Sequence, residues 1–396
     1  MSLLSTAALA EPTPPALGRY LPLYPAFHAS AAMVVEPRDR SFDAAGNEQG
    51  SATPQLAGQT RMPQQRLDLK AVWTFPLFEA AEVPFFADRL HTVRLHGGYS
   101  RNSTRGTLAD FARDTSDDAS TQADSLSVTS RGLSDLTLEF GSWLLGSSDW
   151  RTRQETPYSV LLLLGARLPT GYYDRDAPSS PGSNTAAGHV QLGGYARPWR
   201  GAHLEAGLGY RAFLKNQDPA FGGLHPTNQG DAWFWDASLS QRLFGSWYAA
   251  AFVDGHDSAP NSYADVRFAP NAPAAPSTAP PSDNFPTPGV YRDQGTRLLR
   301  AGFSLQGFVA QRWQLGLHYA LPLSGRSGEF DLPYSNRQPA GCTVGATGCN
   351  VTAGDTVRVD GLGAARVYAS PSLALMLQYQ FGQGDSFTCV GCERKP

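Results

Sequence analysis

Apolar and polar residues alternate with a period of two along most of this 396-residue chain. At 66–77, for example, Leu67, Leu69 and Trp73 alternate with Asp68 and Lys70. Successive side chains of a β-strand point to opposite faces, so this pattern predicts a strand with one apolar and one polar face. The same alternation recurs at 91–99, 136–144, 158–168, 190–196, 204–211, 233–243, 247–254, 299–309, 313–321 and 367–381. It indicates an all-β fold.

The composition excludes several other classes of protein. Charged residues make up 17% of the chain, the formal net charge is −3, and no basic run is present, unlike in a nucleic-acid binder. The longest apolar run, 160–166, is far shorter than the roughly 18 residues that a membrane-spanning helix needs. Stretches with helical periodicity, which an α/β enzyme requires, are almost lacking.

Four features favour a transmembrane β-barrel over a soluble sandwich. The segments have the length of about ten residues that a tilted membrane-spanning strand needs. Aromatic residues such as Trp73, Trp247, Trp313 and Tyr379 lie near the ends of the apolar faces, as in interfacial girdles. The polar faces carry both charge signs, as a water-filled lumen would. Short connections at 78–90, 146–156, 199–201, 244–246 and 310–311 alternate with long ones at 101–131, 169–188, 214–230, 255–296 and 324–366.

The loop lengths predict the orientation and the number of strands. Outer-membrane barrels have short periplasmic turns and long extracellular loops. Because the last strand ends in the periplasm, the segment at 66–77 must run downward, and an upward strand must precede it. Residues 27–36 fit, since Phe27, Ala29, Ala31, Met33 and Val35 share one face and a long loop follows at 37–65. We therefore expect a single antiparallel outer-membrane β-barrel of twelve strands.

The barrel is expected to occupy residues 26–381. Residues 1–10 resemble the end of a truncated signal peptide, with Ala8 and Ala10 at an A-x-A cleavage signature; an irregular terminus is the alternative. A Pro-rich lead-in at 11–25 and a Cys-containing periplasmic tail at 382–396 flank the barrel. In the bacterial outer membrane, the chain would contact outer-membrane lipid and be inserted by the barrel assembly machinery.

The charged positions on the polar faces predict the lining of the lumen. An Arg or Lys that faces lipid at the midplane costs about 2–4 kcal/mol, so charged residues mark the inner face. They form either a selectivity lining or a network of ion pairs and hydrogen bonds that fills a narrow barrel. Because both signs are present, strong ion selectivity is not expected. The predicted lumen-lining residues are Asp68, Lys70, Arg94, His96, Asp135, Glu139, Arg167, Glu205, Arg211, Asp236, Arg242, Asp254 and Arg300.

All four cysteines lie outside the predicted strands. In an oxidising compartment, Cys342 and Cys349 of the last long loop are expected to form a disulfide. Cys389 and Cys392 form a C-x-x-C pair, for which a disulfide is expected, with a redox dithiol or half of a metal site as alternatives. No cofactor and no complete metal site are expected.

Two short motifs resemble a known family. Residues 132–138, GLSDLTL, are similar to a G-x-x-D strand, and residues 164–171, LGARLPTG, to a G-x-K-L-P-T-G strand end with Arg167 in place of Lys. Both occur in a family of bacterial outer-membrane proteins named for the meta-pathway of phenol degradation. Residues 315–319 and 375–381 lie where that family places its last two strands. The resemblance spans roughly 132–381 and implies a channel or transporter for small, often aromatic compounds.

The sequence therefore predicts a channel for passive uptake of small solutes, aromatic or hydrophobic ones among them, rather than an enzyme. A structural or adhesive outer-membrane barrel with a plugged lumen is the first alternative. A barrel hydrolase is the second, because His96, His189, His203 and His318 fall on the polar faces, although no G-x-S-x-G motif is present.

Overall fold

The computed structural model describes residues 20, 26–49, 63–76, 89–107, 125–146, 157–173, 180–217, 226–264, 290–310, 312–333, 356–360 and 367–381. All regular elements within these ranges are β-strands. Within the same ranges, no helix is long and apolar enough to cross a membrane.

Twelve antiparallel strands form one closed sheet in the described part of the chain. Each strand pairs with the next along the chain, and the last strand pairs with the first. The strands are β1 (Ala26–Glu36), β2 (Gln64–Pro76), β3 (Leu90–Thr107), β4 (two segments, Ser125–Leu133 and Leu136–Leu145), β5 (Tyr158–Leu168), β6 (Ala187–Ala196), β7 (Ala202–Phe213), β8 (Ala232–Phe244), β9 (Trp247–Ser258), β10 (Arg297–Ala310), β11 (Trp313–Arg326) and β12 (Ser372–Phe381).

The predicted all-β barrel of twelve strands is thus confirmed, including β1, which the loop lengths required. Short turns join β6 to β7, β8 to β9 and β10 to β11 at one end of the barrel. Gly201 (φ 74°) and Gly245 (φ 51°) supply the left-handed backbone that two of these turns need. Since both the start of β1 and the end of β12 lie at this same end, it is the periplasmic end.

Two predicted boundaries are wrong. The loop expected at 101–131 is partly strand, because β3 continues to Thr107 and pairs with the outer segment Ser125–Leu133 of β4. Val367, which the alternation placed in the last strand, pairs instead with Phe42 in a small sheet outside the barrel. The two-residue period shows that a residue is extended but does not show which strand it pairs with.

Small antiparallel pairings also form between segments that lie between the barrel strands. They are Ser41–Phe42 with Glu48–Gln49 and Val367–Tyr368, Ser262–Ala264 with Val290–Arg292, and Glu329–Pro333 with Thr356–Asp360. All of them lie beyond the barrel strands, at the end of the barrel opposite the short turns. The extracellular end is therefore built up by these hairpins.

The outer face of the barrel exposes large apolar side chains. Leu69, Leu164, Leu208 and Leu375 are each about half exposed, at 49%, 53%, 52% and 52%. A water-soluble protein would bury such a continuous apolar belt, whereas a barrel in a membrane turns it toward lipid. The belt therefore marks the part of the barrel that lies within the hydrocarbon layer.

In the described part of the chain, the inner face is polar along most strands but also contains an apolar cluster. Leu90, Trp143, Leu161 and Leu163 are buried there and pack with Tyr195. Tyr20 completes this cluster with no exposed surface, although it precedes β1 in the chain. A residue of the Pro-rich lead-in thus lies inside the barrel, which the sequence did not predict.

Candidate functional site

The predicted lumen-lining residues are distributed unevenly around the barrel. They belong to β2–β5 and to β7–β10, with Asp135 between the two segments of β4. Between Gln314 and Ala320 of β11, along Ser372–Phe381 of β12 and between His28 and Val34 of β1, the chain contains no Asp, Glu, Lys or Arg. None of the predicted charged residues lies on β1, β11 or β12, and these three neighbouring strands form an uncharged wall.

Small and neutral side chains make up this uncharged wall. The strands pair in the order β11, β12, β1, so their inner positions form one continuous surface. His318, Ala374, Met376, Ala32 and Val34 are all buried there. Ser30, Gln378 and Gln314 add neutral hydrogen-bonding groups nearer the periplasmic end. The wall can therefore contact an apolar or weakly polar surface without presenting an ion to it.

The other strands form a charged wall, which begins on β2 and β10 directly beside the uncharged wall and contains acids and bases that contact one another. Arg300 donates to Asp254 Oδ1 through Nε at 2.8 Å and through Nη2 at 2.6 Å. Arg66 Nε and Asp68 Oδ1, two residues apart on β2, form an ion pair at 2.5 Å. Such pairing reduces the field that a passing ion would experience. An ion-pair network that fills a narrow interior requires such contacts between acids and bases.

Glu139 is the centre of a buried cluster on this wall. Its two carboxylate oxygens contact His96 Nε2 at 3.1 Å and His189 Nε2 at 2.9 Å. Arg94 lies directly opposite Glu139 on β3, and Lys70 lies opposite His96 on β2. The guanidinium of Arg167 on β5 lies 5.1 Å from the centre of an aromatic ring, and that of Arg211 on β7 lies 5.2 Å from the centre of another. The polar wall is thus a connected set of side chains.

Asp135 links the two motifs that carry the family resemblance. Its carboxylate accepts hydrogen bonds from the backbone N–H of Gly171 at 3.1 Å and of Ser183 at 2.9 Å. Thr170 Oγ1 accepts one from the N–H of Leu136 at 3.1 Å. Arg167 Nε lies 3.9 Å from the same carboxylate. The G-x-x-D and L-P-T-G stretches therefore meet at the outer end of β4 and β5 and fix the chain where β4 is interrupted.

Glu205 and Asp236 contact Tyr20 of the lead-in. The Tyr20 hydroxyl donates to Asp236 Oδ1 at 2.7 Å, and its backbone N–H lies 3.4 Å from Glu205 Oε1. Its carbonyl oxygen accepts from Trp143 Nε1 at 2.9 Å and from Ser159 Oγ at 2.8 Å. The sequence did not identify Tyr20, since nothing in a Pro-rich segment shows what it packs against. The only sequence signal for this contact is the pair of glycines that face it, Gly193 and Gly207.

Arg242 differs from the other predicted residues because it lies at the periplasmic rim. Its Nε donates to the carbonyl oxygen of Gly245 at 2.7 Å, across the short turn between β8 and β9. Arg242 therefore stabilises a turn in this structure.

Three of the four histidines considered for a hydrolase contact a carboxylate or a phenol hydroxyl rather than a serine. His96 and His189 contact Glu139, and His203 Nδ1 lies 2.7 Å from the hydroxyl of Tyr195. Within the described ranges, no group of three His, Cys, Asp or Glu side chains is arranged to hold a metal ion. Cys342, Cys349, Cys389 and Cys392, the segment 1–10 and the tail 382–396 lie outside the described residues.

A hydrogen-bonded cluster stabilises the extracellular end above β9 and β10. The carboxylate of Asp293 accepts from Asn261 N at 2.8 Å, Gly295 N at 2.7 Å and the Tyr263 hydroxyl at 2.9 Å. Burial and the nearby Asp293 charge raise the pKa of Tyr263 well above its usual value, so its hydroxyl stays protonated and keeps donating. The cluster holds the small hairpin of Ser262–Ala264 and Val290–Arg292 at the rim.

A closed antiparallel barrel with an apolar outer belt and short turns at one end defines an outer-membrane β-barrel. The chain is an integral protein of the bacterial outer membrane. Residues 93–266 match the family model described as "Putative MetA-pathway of phenol degradation". The resemblance carried by residues 132–138 and 164–171 is therefore confirmed over that part of the chain.

Among solved structures, the chain resembles the COG4313 outer membrane channel from Pseudomonas putida F1. The identity is 12%, the match covers 92% of this chain and 99% of the other, and the TM-score of 0.54 shows a shared fold. A FadL homologue of Pseudomonas aeruginosa matches with 8% identity, 90% of each chain and a TM-score of 0.39. The TodX deltaS2S3 mutant, a monoaromatic hydrocarbon channel, matches with 10% identity, 94% of each chain and a TM-score of 0.37. No curated protein sequence matches the chain.

Proposed function

We propose that this protein is an outer-membrane channel for passive uptake of small uncharged solutes, aromatic and hydrophobic compounds among them. The observation that carries the proposal is the uncharged inner wall of β11, β12 and β1. A solute that moves along this wall meets Ala32, Ala374 and Met376, and the nearest charged residues beside Ala32, Asp68 and Arg66 of β2, form an ion pair with each other. The shared fold with an outer membrane channel is consistent with this role.

The chemistry of the two walls favours neutral solutes over ions. An ion entering a narrow, partly dehydrated interior loses hydration and must recover it from polar groups. On the charged wall, the acids and bases that could replace the hydration of an ion already contact one another, as Arg300 and Asp254 do. A neutral solute loses less hydration and can use the hydrogen-bonding groups of Ser30 and Gln378. We therefore expect selectivity by charge state rather than by the sign of the charge.

The second candidate, a structural barrel with a plugged lumen, is favoured by one observation. Tyr20 lies inside the barrel with no exposed surface and contacts four strands through Trp143, Ser159, Gln191 and Asp236. If this contact were permanent, it would obstruct the interior. Solute uptake therefore distinguishes the two candidates.

The test measures uptake by intact cells of a bacterial strain that lacks its major porins. Cells that express the protein receive a limiting concentration of a radiolabelled monoaromatic alcohol or of the corresponding carboxylate. We expect expression to accelerate uptake of the alcohol and to change uptake of the carboxylate much less. Equal uptake with and without the protein, for both solutes, would favour the structural barrel.

Variants on β1 show whether the solute uses the interior. Ala32→Trp places a bulky side chain on the uncharged inner wall, and we expect it to slow uptake of the alcohol. Ala31→Trp adds the same volume to the outer face of the same strand and is the matched control. Surface levels of the two variants must be equal. If both variants, or neither, slow uptake, the solute does not pass along this wall.

A further inference from the structure

Tyr20 lies in a recess on the inner face that two glycines create. Gly193 on β6 and Gly207 on β7 are direct neighbours in the register of the sheet. A Cβ at Gly193 would overlap the Tyr20 ring, and a Cβ at Gly207 would overlap its hydroxyl. Glycine inside a strand commonly marks a place where another group approaches the backbone closely. The barrel wall is therefore shaped for a flat ring at this point.

The end of this recess recognises a hydroxyl group through both of its hydrogen-bonding functions. The Tyr20 hydroxyl donates to Asp236 Oδ1 at 2.7 Å and accepts from Gln191 Nε2 at 2.7 Å. Gln191 Nε2 also lies 3.3 Å from the same oxygen of Asp236, which holds the two groups together. A carboxylate in this position would face the Asp236 charge, and a bare hydrocarbon would leave Asp236 without this donor. The pair therefore matches an uncharged hydroxyl.

Apolar side chains surround the rest of the ring. Trp143, Leu161 and Leu163 belong to the buried cluster that contains Tyr20. Apolar walls with a few convergent polar groups are typical of small-molecule sites. The occupant of this site is a phenol ring, and it comes from the lead-in rather than from any strand of the barrel.

We propose that this recess is a binding site for phenolic solutes, and that Tyr20 is its resident occupant, which such a solute displaces. The site consists of Gly193 and Gly207 as the floor, Asp236 and Gln191 as the hydroxyl partners, and the apolar cluster as the walls. This inference rests on the proposed function for the role of the solute, but binding itself requires no transport.

Because Tyr20 belongs to the same chain as the recess, it regulates the binding of a free ligand there. A tethered occupant competes at an effective concentration of the order of millimolar, so it lowers the apparent affinity for a free ligand. A phenolic solute would fill the recess only when its concentration is high enough to compete. The ring of Tyr20 would then leave the interior, and the obstruction that it causes would be removed.

The binding test uses the purified full chain in detergent and equilibrium dialysis with radiolabelled 4-methylphenol, which is the tyrosine side chain without its backbone. We expect Tyr20→Ala to bind one equivalent with at least about tenfold higher affinity than the wild type, because the competing ring is gone. Toluene and 4-methylbenzoate should bind much more weakly, since one lacks the hydroxyl and the other carries a charge. An unchanged affinity in Tyr20→Ala would overturn the proposal.

A second pair of variants locates the site. In the Tyr20→Ala background, Gly193→Ala adds a methyl group to the floor and should abolish the gain in affinity. Gly194→Ala is the matched control, because a Cβ there meets nothing closer than 3.9 Å. Gel mobility before and after heating shows that each variant is folded. If Gly193→Ala and Gly194→Ala bind equally well, the recess is not the site.

The same variants separate this proposal from the proposed function. Tight binding of 4-methylphenol without uptake by cells would support the binding site and refute the channel function. Uptake of 4-methylphenol that is identical in Gly193→Ala and Gly194→Ala cells would refute the site as part of the route and leave the channel standing.

Discussion

Phe27 and Phe381 lie directly opposite each other where the first and last strands meet, and their ring centroids are 5.4 Å apart. Tyr379 contacts the Phe381 ring at 4.4 Å and the Trp313 ring at 4.6 Å. This aromatic cluster lies at the end of the barrel that has the short turns, where an interfacial girdle is expected. The closing seam therefore combines a continuous strand ladder with an aromatic anchor at the periplasmic interface.

The register of this seam predicts a specific cross-link. Ser30 and Gln378 are direct partners across β1 and β12, so cysteines at these positions should lie within disulfide range. In a background with the four native cysteines replaced by serine, we expect Ser30→Cys with Gln378→Cys to cross-link on oxidation. The pair Ser30→Cys with Ala374→Cys is the control, since Ala374 lies opposite Val34. Mass spectrometry identifies the linked peptides, and a product in the control pair would show a different register.

The outer belt predicts a depth-dependent cost for charge. Leu164, 53% exposed near the middle of β5, should face the lipid interior. Leu164→Arg is expected to lower the free energy of unfolding by about 2–4 kcal/mol, as charges at the bilayer midplane do. Leu168→Arg, at the end of the same strand, should cost only about 0–1 kcal/mol. Urea unfolding in lipid vesicles measures both, and equal costs would contradict the assigned membrane position.

The buried cluster at Glu139 predicts a large effect of removing one carboxylate. Glu139→Ala leaves His96 and His189 without their shared partner in a buried position. We expect the free energy of unfolding to fall by about 2–4 kcal/mol. Glu48→Ala removes an exposed ion pair with Arg40 and should change it by about 0–1 kcal/mol. The same unfolding measurement compares the two variants, and a neutral Glu139→Ala would show that the cluster does not stabilise the barrel.

The loop lengths predict which end faces outward. A protease site inserted between residues 270 and 280, in the long connection after β9, should be cut when protease is added to intact cells. The same site inserted after Gly245, in a periplasmic turn, should be protected until the outer membrane is permeabilised. Immunoblotting of the fragments distinguishes the two. Cutting after Gly245 in intact cells would reverse the orientation.

The alternation along the chain predicted the all-β fold and eleven of its twelve barrel strands. A period of two places alternate residues on opposite faces of a strand. In every strand the lipid selects the apolar face, which on β5 includes Leu164, as the outer one. Loop parity added β1, whose own alternation of small residues is weak. The extension of β3 to Thr107 could not be predicted in this way, because polar strands beyond the membrane surface have no apolar face.

The interior could be predicted only in part. Alternation identified the polar faces but not their partners, so it could not show that Glu139 contacts both His96 and His189. Leu161 and Leu163 belong to a continuous apolar run. In such a run the period does not show which residues face the interior of the barrel. Tyr20 is the clearest case, since its position depends on contacts with strands more than 120 residues away in the chain.

The most direct test of the channel is the ion current through single molecules in planar bilayers while an uncharged aromatic alcohol is added to one side. A solute that enters the lumen displaces ions there. We therefore expect brief interruptions of the current whose frequency rises in proportion to the alcohol concentration, and fewer of them with Ala32→Trp than with Ala31→Trp. The current should show weak ion selectivity. A steady current without interruptions, or no current from either the wild type or Tyr20→Ala, would contradict a solute pathway through the barrel.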